Sequence, residues 1–480
     1  MSRANKLSRA LVADLDERQR AVVVAPRGPV RVVAGAGSGK TRVLTRRIAH
    51  LVASGQVRPK EVLAVSFTVR AAGELRDRLT ALDQLVEGGL GLESVRTSTF
   101  HAAAARQLAY FWPAESRPWR ILDRKAPFIA RAADAAGLPE GEFDRKEAQS
   151  EIEWAKASLI GPEQYPEAAR ARRPAIRSSP EAIAEVYQRY ESAKAKGAER
   201  LLDFDDVLLA MIGVARSSAD AAGQLRSWLR CFLVDEFQDI TPLQYELLMT
   251  WLGARDNVTA VGDPNQTIYS FAGACSTFFT EFDRRFPATA SFRLDRDYRS
   301  TAQVTGLANL LLGDAGKLQG QVPDGPAPRF AEYADELGEA AGVAREVAEL
   351  IRGGTSAREI AVLFRVNTHA ARFERALRAK GIPTGEDGVS LCSLHAAKGL
   401  EWEAVFLVGL VEGVLPVAWA AAAGPEAVAE ERRLLYVGIT RARTRLMLSW
   451  CRESGGRAAR ASRFLSRIQP AGSAKELVKK

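Results

Sequence analysis

Cysteine is scarce in this chain: four residues in 480, at positions 231, 275, 392 and 451. None belongs to a C-x-x-C pair, so neither a disulfide framework nor a cysteine-ligated zinc module is indicated. Long apolar runs are missing too. The best of them, Ala404 to Gly424, is interrupted by Glu412 and Pro416 and punctuated by Gly409, Gly413 and Gly424. It reads as a buried strand (Ala404–Leu410) running into a loop rather than as a membrane span. The opening residues MSRANKLSRALVADLDERQR carry no apolar core of the kind a secretion signal needs. A cytoplasmic protein with no membrane partner is therefore expected. Acidic residues are outnumbered, 58 against 67 basic, which leaves a net charge of +9. Such an excess suits a polyanionic partner such as nucleic acid.

What is present is ordinary globular composition, 47% apolar and 26% charged. That excludes chain-wide disorder and collagen-like or rod-like architecture. The length suggests about two to four domains. No short solenoid period recurs.

Short apolar runs alternate with helical patterns. Val30–Gly35, Val62–Phe67, Cys231–Phe237 and Asn257–Asp263 read as buried strands, each followed by a turn or a helix. Ile360–Arg365, Val389–His395, Ala404–Leu410 and Arg445–Trp450 repeat the rhythm. This alternation predicts an α/β fold built from two parallel-sheet blocks. Between about Tyr110 and Asp203 no buried strand is convincing, and Ala, Arg and Glu fall at helical spacing. This is read as a helical insertion in the first block. The expected division is 1–110 and 205–285 for the first block, 111–204 for the insertion, 286–455 for the second block and 456–480 for a basic tail. Gly313–Pro328 reads as a connector.

The strongest local signal is Ala34-Gly35-Ala36-Gly37-Ser38-Gly39-Lys40-Thr41. Its glycines let successive N–H groups turn inward around phosphate oxygens, at the positive end of the helix that follows. Lys40 places a charge on the β/γ-phosphates, and Thr41 offers a hydroxyl to Mg²⁺. The second signal is Asp235-Glu236 at the end of a buried strand. Two carboxylates there are costly unless a cation or a reacting water uses them. Asp235 is placed to hold Mg²⁺ and Glu236 to polarise the attacking water. ATP and Mg²⁺ are the expected ligands. Arg299 and Arg441 in the second block are candidates for stabilising the transition state.

With these residues in view, the chain resembles the superfamily 1 DNA helicases of the UvrD/Rep/PcrA type. LDERQRAVV (Leu15–Val23), AGAGSGKT, AVSFTVRAAGELRDRL (Ala64–Leu79), TSTFHAAAARQL (Thr97–Leu108), FLVDEFQDITPLQYELL (Phe232–Leu248), VGDPNQTIYSFAGA (Val261–Ala274), RLDRDYRST (Arg293–Thr301), SLHAAKGLEWEAVFLVGL (Ser393–Leu410) and EERRLLYVGITRAR (Glu430–Arg443) are similar to its motifs, in order. DFDDVLLA and EIEWAKASLIGPEQY resemble the actinobacterial UvrD-like branch.

The resemblance implies two RecA-like motor domains, 1A and 2A, with the helical insertion as 1B. It implies nucleotide contacts from Gln19, Gly35, Gly37, Ser38, Gly39, Lys40, Thr41, Arg42, Tyr298 and Glu401. Lys40, Glu236, Gln266, Arg299 and Arg441 would be catalytic, and Thr41 and Asp235 would hold the metal. Phe67, Thr68, Arg70, Phe100, His101, Tyr269, Phe271 and His395 match positions that contact single-stranded DNA. Phe271 stands where the family usually has tryptophan, Ala272 where it usually has arginine, and Val69 where it usually has asparagine. The activity implied is 3′-to-5′ movement along single-stranded DNA and unwinding at single-strand/duplex junctions, in DNA repair or replication. A translocase that strips proteins with little unwinding, and a non-hydrolysing nucleic-acid-binding subunit, are the alternatives. The family's 2B domain has no room here, because only Glu386-Asp387-Gly388 separates Gly385 from Val389.

Overall fold

Apolar runs of four or five residues become the central strands of two parallel sheets. In the computed structural model the residues described are 10–86, 88–137, 142–172, 176–313 and 317–469. Two compact units divide the chain, residues 1–33 with 40–294 and residues 34–39 with 295–480.

In the first unit the strands are β1 (Val30–Ala34), β2 (Val62–Val65), β3 (Arg96–Ser98), β4 (Trp119–Ile121), β5 (Arg200–Leu202), β6 (Cys231–Val234), β7 (Val258–Gly262) and β8 (Ala290–Leu294). The main sheet has the order β3-β2-β6-β7-β1-β8. The four pairings from β3 to β1 are all parallel. Every residue of β2, β6 and β7 is buried, as a sheet covered on both faces requires. Val65 lies opposite Val234, and Val234 opposite Ala260. Ser66, Asp235 and Asp263 therefore leave the sheet at one edge, outside the carboxyl ends of the strands, where open α/β sheets bind ligands. Because β8 joins beside β1, the first unit extends to 294 rather than to the expected 285.

Beneath the sheet, Phe232, Phe237, Leu243, Leu247, Trp251 and Phe279 pack into one core. Arg47 is wholly buried on the helix Lys40–Ala53; its guanidinium donates to the carbonyls of Val22 (2.9 Å), Ala25 (2.8 Å) and Pro26 (3.1 Å) and to Thr259 Oγ1 (3.0 Å). These carbonyls end the helix Glu17–Val24, where a cation also meets the negative end of the helix dipole. One side chain thereby fixes the Gln19-bearing helix to the helix that follows the phosphate loop.

The stretch read as a helical insertion carries the helices Ala126–Ala135, Glu142–Ala157, Tyr165–Arg172 and Pro180–Ala195. Its own core holds Ile129, Ile152, Tyr165, Val186 and Tyr190. The chain enters and leaves it through β4 and β5, a two-stranded parallel pair that periodicity did not reveal because each strand is three residues long and half exposed. Lys156 and Lys194, both almost fully buried, bind Asp203 at 2.7 and 3.1 Å and also pair with Asp206, tying two insertion helices to the N-terminus of the helix Phe204–Ser217.

The second unit contains β9 (Arg296–Thr301), β10 (Gln319–Val322), β11 (Arg329–Asp335), β12 (Ile360–Phe364), β13 (Ser390–Ser393), β14 (Trp402–Leu407), β15 (Ala442–Ser454) and β16 (Arg457–Ala458). Its main sheet runs β11-β15-β14-β12-β13, all parallel, with β16 antiparallel on β15. Part of the segment read as a connector is strand β10, paired with β9; residues 314–316 lie outside the described residues. Between Pro383 and Val389 the chain makes a tight turn. Thr384 bridges Val389, and the Val389 N–H donates to the Pro383 carbonyl at 2.9 Å. Gly385 takes φ +97°, and a Cβ on Gly388 would fall 2.2 Å from that carbonyl, so the turn needs both glycines.

The tail expected over 456–480 is only partly as read. Residues up to 469 are built into the unit, with Ser462, Phe464, Leu465 and Ile468 buried, and 470–480 lie outside the described residues. Among the described residues, no helix is long and apolar enough to cross a membrane.

Candidate nucleotide and nucleic-acid site

The glycine-rich sequence read as a phosphate loop lies between the end of β1 and the helix that opens at Lys40. Gly37 (φ +68°) and Gly39 (φ +81°) occupy the left-handed region that lets the backbone curl. Ser38 is buried and its hydroxyl donates to the Gly35 carbonyl at 2.8 Å, closing the loop on itself. Thr41 lies in the first turn of the helix. Gln19 is buried, and its N–H donates to Asp16 in a capping box that starts its helix. Arg42, read as a nucleotide contact, is bound to Asp14 Oδ2 at 2.6 Å.

Lys40 Nζ lies 3.4 Å from Glu236 Oε1. The other carboxylate oxygen, Glu236 Oε2, accepts from Gln238 Nε2 at 2.6 Å. Glu236 is itself in the left-handed region (φ 51°, ψ 42°), an arrangement that costs about 1–3 kcal/mol outside glycine and persists only where the surroundings enforce it. Here the enforcement is visible. Gln238 is fully buried, and its Oε1 accepts the N–H of Asp263 at 2.9 Å, so one amide joins the end of β6 to the end of β7. Asp263 Oδ2 in turn accepts from Gln266 Nε2 at 2.7 Å. Burial pushes the Asp263 carboxyl up, while Lys40 and the Gln266 amide pull it down. Asp235 is held by its own N–H, which donates to the Val65 carbonyl at 2.9 Å. The hydroxyl and carboxylate oxygens of Thr41 and Asp235 are the hard donors that Mg²⁺ selects.

In the second unit, Tyr298 is 43% exposed on β9. Arg299 Nε pairs with Glu401 Oε2 at 2.5 Å, and its Nη1 donates to the Thr440 carbonyl at 3.3 Å. Arg441 is buried, with its guanidinium on the carbonyls of Val437 (2.9 Å) and Leu400 (3.0 Å). Three of the residues singled out in this unit, Arg299, Glu401 and Arg441, thus gather around Leu400 and Thr440. Burial, with Arg365 and Lys398, pushes the His395 imidazole down to about 4, which leaves it neutral at physiological pH.

The aromatic positions separate into two groups. Phe67 stacks on Tyr269 with centroids 5.2 Å apart at 17°, and Tyr269 meets Phe271 at 6.2 Å. Phe67 and Phe271 are 42% and 54% exposed, so they form an open stacking face. Thr68 caps the next helix through the Ala71 N–H, and Arg70 is exposed beside it. Phe100 is a correction. It is 4% exposed and stacks on Trp251 at 5.8 Å inside the core, so its ring presents no face to a base. An aromatic at the start of a helix after a strand serves either purpose, and here the core claims it. His101, its neighbour, stays half-buried against Phe204, 3.9 Å from Asp205.

Residues 15–287 match the UvrD/REP helicase N-terminal domain, and residues 292–386 and 384–453 match the UvrD-like helicase C-terminal domain. The chain belongs to the UvrD/Rep helicase family. Within that family it is 44% identical to ATP-dependent DNA helicase UvrD2 of Mycobacterium tuberculosis, over 96% of this chain and 82% of the relative. It is 33% identical to ATP-dependent DNA helicase PcrA of Leuconostoc citreum, over 63% of this chain and 39% of that one. Against ATP-dependent DNA helicase UvrD1 of M. tuberculosis the identity is 31%, over 78% and 49% respectively. For this UvrD-type chain, sequence reasoning passed over Gln238 and Asp263. Both stand within motif-like segments, but their work is a tertiary hydrogen bond that no spacing announces.

Proposed function

We propose that this protein is an ATP-dependent DNA helicase that uses Mg²⁺, moves 3′ to 5′ on single-stranded DNA and separates strands at single-strand/duplex junctions, in DNA repair or replication. One observation carries the reading: Glu236 is fixed at a strand end by Gln238 on one oxygen and, near the other, by Lys40, which opens the helix after the glycine-rich loop. That is the arrangement a general base for water attack on a γ-phosphate needs, since positioning and charge do most of the work in phosphoryl transfer.

Mg²⁺, when bound, neutralises developing charge on the phosphate oxygens. Thr41 and Asp235 would hold it. Lys40 binds the β/γ-phosphates, and Glu236 takes the proton from the attacking water at its carboxylate. Gln266 senses the γ-phosphate. Gln19 reads the adenine edge, Tyr298 stacks on the adenine, and Glu401 accepts from the ribose. Arg299 and Arg441 are offered to the γ-phosphate. The DNA strand stacks on Phe67, Tyr269 and Phe271, with Thr68, Arg70, His101 and His395 on its backbone. Base stacking of this kind is tolerant of sequence, and phosphate contacts make affinity fall with salt.

The 2B domain is proposed to be absent. The alignment with UvrD2 spans 575 positions and 96% of this chain's 480 residues, about 460, so on the order of 110 positions lack a counterpart here. The turn at 383–389, and the family's C-terminal domain matching as two segments that meet at 384–386, support this reading.

The test is strand displacement on 3′-tailed and 5′-tailed duplexes with ATP hydrolysis followed in parallel. Displacement confined to the 3′-tailed substrate is the expected result. Hydrolysis stimulated by DNA without displacement would favour a protein-stripping translocase instead, and equal hydrolysis with and without DNA would overturn the motor reading.

A further inference from the structure

The first unit encloses a small cavity, about 20 Å³, at the carboxyl edge of its sheet. Its wall includes Ser66, Phe67, His101, Asp235, Glu236 and Gln244. The space accommodates one water molecule, which needs at least 10–15 Å³ and two to four polar partners. Polar partners are what this wall supplies. Two carboxylates face the cavity, and so does Ser66, which is 2% exposed and whose Oγ has no hydrogen-bond partner among the described residues. A buried hydroxyl without a partner costs about 1–3 kcal/mol, so an occupant that satisfies it is strongly favoured.

The main chain at Ser66 is anchored on both sides. Its N–H donates to the Ser98 carbonyl at 3.0 Å, and the preceding Val65 carbonyl accepts from Asp235 at 2.9 Å. The backbone at Ser66 is therefore locked to both neighbouring strand ends. The next residue is Phe67, whose ring lies on Tyr269 in the open stacking face. On the far side of the cavity Glu236 has one oxygen on Gln238 and the other near Lys40. Ser66 is thus a hydroxyl adjacent in sequence to a ring of the stacking face that shares a cavity with the Asp235 and Glu236 carboxylates.

We infer that Ser66 Oγ holds a buried water against the Asp235 and Glu236 carboxylates, and that this bridge is a positioning element through which a DNA strand on Phe67 sets the general base for hydrolysis. The inference rests on the function proposed above and assigns the contact that couples its two halves. No bond is made or broken at Ser66. A strand that stacks on Phe67 re-seats that ring, the adjoining Ser66 hydroxyl turns on its anchored backbone, the water follows the hydroxyl, and the carboxylate follows the water.

The experiment compares the full chain with Ser66→Ala and Ser66→Thr. For each, ATP turnover is measured with and without oligothymidylate, together with the Kd for that oligomer by fluorescence anisotropy. Removing the hydroxyl is expected to lower the ratio of DNA-stimulated to unstimulated kcat by about fivefold or more, with KM for ATP and the DNA Kd within about twofold of the wild type. The threonine variant keeps a hydroxyl and should recover most of the ratio. A wild-type ratio in Ser66→Ala overturns the inference. So does a loss in Ser66→Thr equal to that in Ser66→Ala, because the site then acts through its shape. A wild-type chain whose turnover ignores DNA overturns the functional reading itself, which separates that failure from one confined to Ser66.

Discussion

Gln238 donates to Glu236 Oε2 at 2.6 Å and with the other end of the same amide accepts the N–H of Asp263 at 2.9 Å. A neutral side chain thus sets the distance between two strand ends and the aim of a carboxylate. The neighbouring glycine is part of the arrangement, since a Cβ on Gly262 would lie 2.4 Å from Gln238 Oε1. Replacing Gln238 by Ala should lower kcat for ATP hydrolysis by about 10- to 100-fold and move KM by less than about threefold, because an aim is lost and not a substrate contact. Steady-state kinetics at saturating single-stranded DNA would show the split. A change confined to KM would mean that Gln238 does not position the base.

Phe67 and Phe100 give opposite expectations. Phe67→Ala removes an exposed ring and should weaken single-stranded DNA binding by about 1–3 kcal/mol, with thermal stability nearly unchanged. Phe100→Ala opens a hole beside Trp251 and should cost about 3–5 kcal/mol of unfolding free energy. Anisotropy and chemical denaturation on both variants would tell the roles apart.

Lys156 is the centre of a buried network. Burial works against its charge, but Asp203, Asp206 and Glu191 outweigh it and raise its pKa. Lys156→Met should destabilise the first unit by about 3–5 kcal/mol, since the buried Asp203 and the partly buried Asp206 would then share Lys194. Denaturant titration followed by Trp fluorescence would measure this.

For Asp203, burial opposes ionisation, yet Lys156 and Lys194 hold its carboxyl far below the usual range. A carboxylate depressed on folding contributes its stability fully above its unfolded pKa, near 4, and loses it as the pH falls below that.

His369 produces a pH dependence in a higher window. Burial, reinforced by Arg372 and opposed by Glu336, pushes its imidazole down to about 4. The unfolded chain therefore binds a proton near pH 6.5 that the folded chain refuses until about 4, so stability falls as the pH drops through that interval. The loss should reach on the order of 2 kcal/mol in the second unit. His369→Gln should reduce the slope of stability between pH 6.5 and 4.5 in equilibrium unfolding, leaving the part that His395, held equally low, contributes in the same unit.

The strands that sequence pattern revealed are those buried on both faces. Val62–Val65, Cys231–Val234 and Ile360–Phe364 are continuous apolar runs because each must be dry on two sides. Those it missed are short or half exposed. Arg96–Ser98, Ala290–Leu294 and Gln319–Val322 carry charged or polar residues and pair at sheet edges or in a two-stranded ribbon. The phosphate loop and the Asp235-Glu236 pair were legible because their chemistry depends on adjacent residues. Gln238 was not, because its partners are made by β7 lying beside β6. Phe100 shows the converse failure: an aromatic in a motif-like string gives no sign of which way its ring will face.

The turn at 383–389 also bears on how such a chain tolerates change. Its two ends are one bridge apart, Thr384 against Val389, and the strand that follows pairs directly with β12. A stretch of any length spliced between these ends would leave from and return to nearly the same point, so the strand order of the sheet would not register its presence or its loss. The seam works as a socket: the motor sheet is wired behind it, and what is plugged in front is optional to the fold.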